Sequence, residues 1–261
     1  MKHVIICEGN TDLTLIQYFM EKVHGWEHIK ESDYKDFEEG MINKIRNAKL
    51  MKWFKHPGGA VLSIMSAGGV SRIPGLLNSV LDMNQLGSIV PFSRIVIISD
   101  RDEIQTEQHF LDEILDKFDE NAIQFAVDPR NNEWNTAVYT NAMQDQLMVD
   151  LLPLIVPFEQ TGAIETFLLQ ALSNASEQED PDQVDKLVID QCIQFIDSID
   201  CKDKYLRKRR ERTKAKFDTT FVVMTPAEAF GQRRDLLRSV PWEKFELIQV
   251  TFKQLRKLSE L

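Results

Sequence analysis

Cysteine is scarce in this chain. The three residues, Cys7, Cys192 and Cys201, are odd in number and form no C-x-x-C pair. That argues against a disulfide framework and a zinc ribbon, and it fits a reducing, cytoplasmic setting. The chain also lacks H-E-x-x-H, a G-x-S-x-G elbow and a G-x-x-x-x-G-K-[ST] loop. A zinc protease, a serine hydrolase and a P-loop ATPase are therefore disfavoured. His24 and His28 share a spacing of four, but zinc would need further ligands that the neighbouring sequence does not offer. No apolar run is long enough to span a bilayer, and the first strand, starting at His3, leaves no room for a signal peptide. Basic residues are outnumbered, 31 against 41 acids, for a net charge of -10. Such a surface does not attract polyanions as a whole, although a local basic patch stays open.

What is present is an alternation of short apolar runs and helical patterns over 261 residues, enough for one large domain or two small ones. HVIIC, AVLSIMSA and RIVIIS read as buried strands. Helices are expected from Asn10-Thr11-Asp12 onward, through Phe37, Met41, Ile45 and Ala48, from about Ile73 to Met83, and from about Thr106 to Phe118. Strands separated by helices in this rhythm imply parallel βαβ units with right-handed crossovers. Further on, WNTAVYT and DLLPLIVPF read as strands and GAIETFLLQAL as a buried helix. SNASEQEDPDQ reads as a polar loop and VDKLVIDQCIQFIDSI as an amphipathic helix. A basic helix is expected over 202–216, a returning strand at TFVVMT and a closing helix at FELIQVTFKQLRKL. The expected division is residues 1–172 as an α/β core and 173–261 as a mostly helical addition.

Acids punctuate the strand ends. Glu8 follows the first strand, and Asp100 and Asp102 follow the third. The carboxyl ends of strands in open α/β sheets are where ligands bind. In extended backbone Asp100 and Asp102 point to one side and Arg101 to the other. Two carboxylates held close repel, and a hard cation such as Mg²⁺ relieves the repulsion. Each acid also has an ordinary role: D-x-D suits a turn, and Asp12 suits a first helical turn. Glu165, at the start of its helix, has the same first-turn alternative.

Gly68-Gly69 joins a strand to a helix, where backbone N–H groups hold phosphates or merely form a tight turn. Arg72 stands just beyond as a phosphate contact. The run K-Y-L-R-K-R-R-E-R-T-K-A-K concentrates Lys204, Lys214 and Lys216 with several arginines. It suits either a phosphate-binding surface or a solvated helix face paired with acids.

C-E-G-N-T-D, S-A-G-G and I-S-D-R-D, in that order after three strands, resemble the Toprim domain of topoisomerases, bacterial primases and several nucleases. In the second half G-A-I-E-T-F-L-L, K-A-K and V-P-W resemble the OLD-type (overcoming lysogenization defect) Toprim nucleases and their small stand-alone relatives. The resemblance implies an α/β fold with a mainly parallel Toprim sheet flanked by helices. It implies a Mg²⁺- or Mn²⁺-dependent nuclease, with one or two ions and DNA or RNA as partner. Glu8, Asp12, Asp100, Asp102 and Glu165 would be metal ligands, Glu8 also an acid–base group. Lys214 or Lys216 would stabilise transition-state charge. Ala163 departs from the pattern, because some OLD-type members carry another acid there, which weakens a second metal site. The chain is too short for a topoisomerase and shows no module of a primase. The alternative function is a Toprim-fold effector or non-catalytic interaction module of a defence or toxin system, regulated by a partner such as an ATPase; a homo-oligomer is a further expected assembly.

Overall fold

The computed structural model describes residues 1–30, 45, 48–87, 90–103, 105–158, 160–179, 181–199, 205–225, 237–238 and 240–260. The chain divides into two compact units, Met1–Ile155 with Gln254–Leu261, and Val156–Lys253.

The first unit is built on an α/β sheet. Its strands are β1 (Lys2–Cys7), β2 (Glu27–His28), β3 (Leu50–Lys55), β4 (Val61–Ser66), β5 (Arg94–Asp100), β6 (Gln124–Phe125), β7 (Asn135–Thr140) and β8 (Gln146–Val156). Their order is β2-β3-β4-β1-β5-β8-β7-β6. Only the centre is shown as parallel: β1 pairs in parallel with β4 on one side and β5 on the other. β2-β3, β3-β4, β6-β7 and β7-β8 are antiparallel. The sheet is therefore mixed, which corrects the expected mainly parallel one. The reason lies in short connections, since a hairpin forces antiparallel pairing whereas a parallel return needs a crossover. His56-Pro57-Gly58-Gly59 turns β3 directly into β4, with His56 N–H donating to Ala60 O at 2.9 Å. The Asn141 side chain closes the β7–β8 turn by accepting from Met143 and Asp145 N–H.

Among the described residues, the helices of this unit are α1 (Asn10–His24), α2 (Ile73–Gln85) and α3 (Thr106–Glu120). The alternation along β1 sorts the two faces. Val4 and Ile6 share a core with Met65, Ile95, Ile97, Leu76, Val80, Phe110, Ile114 and Phe118, all buried. Full burial of each such side chain stabilises the fold by roughly 1.5–3 kcal/mol. The helix expected through Phe37 and Met41 falls outside the described residues there, while Ile45 is buried and Ala48 packs against the same core. The end of the chain, in 3₁₀ turns over Lys253–Ser259, stays in this unit: Trp26 and Trp134 donate their indole N–H groups to Ser259 Oγ and Gln254 O.

The second unit is helical: α4 (Ile164–Glu179), α5 (Val184–Ile199), α6 (Arg209–Met224) and α7 (Glu246–Phe252). Much of the expected polar loop SNASEQEDPDQ continues α4 to Glu179. The expected strand TFVVMT is the last turns of α6. Phe217 and Phe221, four apart, pack as a tilted pair with ring centroids 4.5 Å apart, and Phe221 meets the buried Trp242, while Val222 and Val223 are exposed. One apolar stripe at helical spacing has overridden the β propensity of that run. The basic helix begins at Arg209, later than the sequence pattern indicates.

Candidate functional site

The ends of β4, β1 and β5 lie side by side, and backbone hydrogen bonds fix the residues just past them. Ala67 N–H donates to Cys7 O at 2.9 Å. Gly68 and Gly69 N–H then both donate to Glu8 O, at 2.9 and 3.0 Å. Gly68 has φ 85° and Gly69 φ 143°, angles that a residue with a Cβ adopts only with strain. The two amides are thus taken up by Glu8, and a phosphate contact through these N–H groups, as the sequence suggested, is not what the turn offers. Its work is to lock the end of β4 to the residue after β1.

Glu8 is 2% exposed. The register that pairs Cys7 with Ile98 brings Glu8 alongside Ser99, next to Asp100. Asp100 ends β5 and is half-buried, and Asp102 is exposed. Arg101, between them, forms an ion pair with Glu107 of α3, whose carboxylate also accepts from Asn131. Arg101 therefore has a carboxylate partner of its own beyond the aspartate pair.

Asp12 is 6% exposed and sits in the first turn of α1. Its Oδ2 accepts from Gly9 N–H at 2.6 Å, which caps the helix start and engages one carboxylate oxygen. Asn10 Oδ1 accepts from Ser66 Oγ at 2.9 Å, tying α1 to the end of β4. Cys7 is fully buried, and burial, with the nearby Asp12 charge, pushes its thiol pKa well up. The thiol is a core group and no nucleophile.

Glu8, Asp12, Gly68, Gly69, Asp100 and Asp102 thus come from one edge of the sheet. Among the described residues no three His, Cys, Asp or Glu side chains converge as a finished metal cage. Mg²⁺ does not require one: it is commonly held by one or two carboxylates, its own waters and substrate phosphates. An all-oxygen edge of this kind fits that hard ion. His24 packs edge-on against Phe19 and His28 against Phe54.

Arg72 ends the short 3₁₀ turn Val70–Arg72 of the first unit, and Glu165, Lys214 and Lys216 belong to the second. Glu165 is 3% exposed and lies in the first turn of α4. Lys216 is held by both oxygens of Asp197, at 2.8 and 3.0 Å. Lys214 is half-buried on the same helix. Lys204 lies outside the described residues. A cleft of about 430 Å³ in this unit is lined by Thr166, Gln170, Asp190, Thr213 and Lys216 among others.

One basic residue at the strand-end edge carries no mark in the sequence. Lys49 precedes β3, and its N–H donates to Ser66 O at 2.8 Å, which carries its side chain over Gly68. No motif singles it out; only the β3–β4 pairing puts it there.

No family model and no curated protein matches the chain. Among solved structures, a hypothetical protein from Pyrococcus horikoshii OT3 shares the fold with a TM-score of 0.51 and 19% identity, over 97% of this chain and 99% of that one. A glyoxalase/dioxygenase from Nostoc punctiforme aligns with a TM-score of 0.19 and 13% identity, over 58% of this chain and 89% of that one.

Proposed function

We propose that this chain is a Mg²⁺- or Mn²⁺-dependent nuclease of the Toprim type. One observation carries the proposal. Three adjacent strand ends present a buried glutamate, a glycine turn bonded to that glutamate's own carbonyl, and an aspartate pair. Chemistry on a phosphodiester needs negative charge neutralised and a water activated, and a bound Mg²⁺ or Mn²⁺ supplies both.

Asp100 and Asp102 would hold the ion from the end of β5. Glu8, fixed through its backbone, takes the proton of the attacking water at its carboxylate. Its near-complete burial limits competing solvent at that point. Asp12 secures the start of α1 and, with Asn10, keeps the β1–α1 turn against β4. Glu165, Lys214 and Lys216 have no assigned step.

The test is cleavage of supercoiled plasmid and of single-stranded RNA by the full chain, with Mg²⁺, Mn²⁺ or EDTA. The expected result is metal-dependent cleavage that falls at least about 10²-fold in Glu8→Gln and Asp100→Asn, both checked for native circular dichroism. Cleavage that neither substitution changes would sink the assignment. Metal binding without cleavage by the wild-type chain would favour an effector that waits for a partner such as an ATPase.

A further inference from the structure

The turn after β4 gathers two cations. Several bases of this acid-rich chain find carboxylates: Lys216 meets Asp197, Lys186 meets Asp190, and Lys257 meets Asp150. Lys49 and Arg72 form no ion pair among the described residues, and both are exposed. They converge instead. A methyl group built on Gly68 would lie 3.0 Å from Lys49 Cδ and 3.7 Å from Arg72 Nη1, so both side chains cross the same glycine. Arg72 is held there through its own N–H, which donates to Gly69 O at 3.0 Å.

Two like charges brought together are relieved by an anion between them. The glycine amides below are already bonded to Glu8 O. Recognition of that anion therefore falls to the side chains: a planar guanidinium fork that suits two phosphate oxygens, and an ammonium that acts as a point charge. Gly68 keeps the space beneath them open. We infer that Lys49 and Arg72 form a two-cation clamp for a phosphate of the nucleic-acid backbone, holding the strand beside Glu8 without reading its sequence. The inference rests on the nuclease proposal for its substrate, but its geometry stands apart from the carboxylates.

The test uses full chains carrying Glu8→Gln, with Asp100→Asn as a second background, so that substrate is bound and not cut. A fluorescent single-stranded oligonucleotide is titrated over a series of NaCl concentrations. Lys49→Ala and Arg72→Ala are each expected to weaken binding about five- to tenfold and to reduce the log–log salt slope by roughly 0.7. Lys49→Arg should retain the parental slope. Unchanged slopes in both alanine variants overturn the clamp while leaving the nuclease proposal intact. If neither background binds oligonucleotide, the nucleic-acid substrate is wrong, and pyrophosphate calorimetry on the wild-type chain decides the rest. Heat that disappears in the Lys49→Ala/Arg72→Ala chain keeps an anion clamp for a smaller phosphate compound, and absence of heat from the wild type removes it.

Discussion

In the first unit the charged groups at the strand ends are set by backbone. Glu8 is held by two glycine amides on its carbonyl, Asp12 by the helix it caps, and Asp100 by the strand it ends. In the second unit several charges sit on helix faces and pair with one another. Lys216 on α6 reaches Asp197 on α5, and Lys186 is shared between Asp190 and Glu177. The raised pKa of the Lys186 ammonium reflects the Asp190 hydrogen bond and charge, then Glu177. The basic run of α6 stood out in the sequence because it is dense in positive charge. Density, however, does not measure availability: its Lys216 is tied to an acid, whereas Lys49, which no sequence motif marks, and Arg72 carry no such tie among the described residues.

The sharpest way to break this contrast is to compare Asp100→Asn with Lys216→Ala in the cleavage assay. The first should cost at least about 10²-fold, roughly 3 kcal/mol of transition-state stabilisation, and the second less than about tenfold. The reverse order would move the chemistry to the helical unit.

Next in size is an acid effect at the other end of β1. His3 is fully buried, and its pKa is drawn from 6.5 to about 3 by burial first, then by Arg94 and the N-terminal amine. Below pH 6.5 the unfolded chain takes up a proton that the folded chain refuses until about 3. Stability is therefore complete above 6.5 and falls as pH drops through that window. The loss should be on the order of 2 kcal/mol at pH 5. Thermal melts of wild type and His3→Leu should diverge in slope below pH 6.5, and parallel slopes would refute the assignment.

Gly68→Ala should cost about 1–2 kcal/mol, because the turn holds φ 85° and Lys49 Cδ stands 3.0 Å from the new methyl group. Urea unfolding measures it, and a midpoint equal to wild type would show that the turn is not strained by a Cβ. Smallest is Lys216→Ala in the same unfolding assay. Its ion pair is partly exposed, so the loss should stay below about 1 kcal/mol. A larger loss would mean that α6 leans on this pair far more than a solvent-screened bridge allows.

The strands HVIIC, AVLSIMSA and RIVIIS were legible because each is an apolar run bounded by turn residues, and α1, α2 and α3 because their apolar residues recur at helical spacing. Their order also put Glu8, Gly68-Gly69 and Asp100 at strand ends. LMKWFK was not legible as a strand: its residues run from exposed to buried, and its pairing is decided by the hairpin to β4. TFVVMT misled for the opposite reason. Its β-branched residues favour extended backbone in isolation, but Phe221 finds Trp242 only when the helix continues.

The sequence by itself determined the central βαβ framework and the residue types at its edge, since hydrophobic period and turn chemistry are local properties. Tertiary structure alone decided that the sheet is mixed, that the glycine amides serve Glu8, that Lys216 is paired, and that Lys49 joins Arg72. Each of these depends on which distant segment supplies the partner, and a hydrogen bond or ion pair between remote residues leaves no period in the chain that makes it.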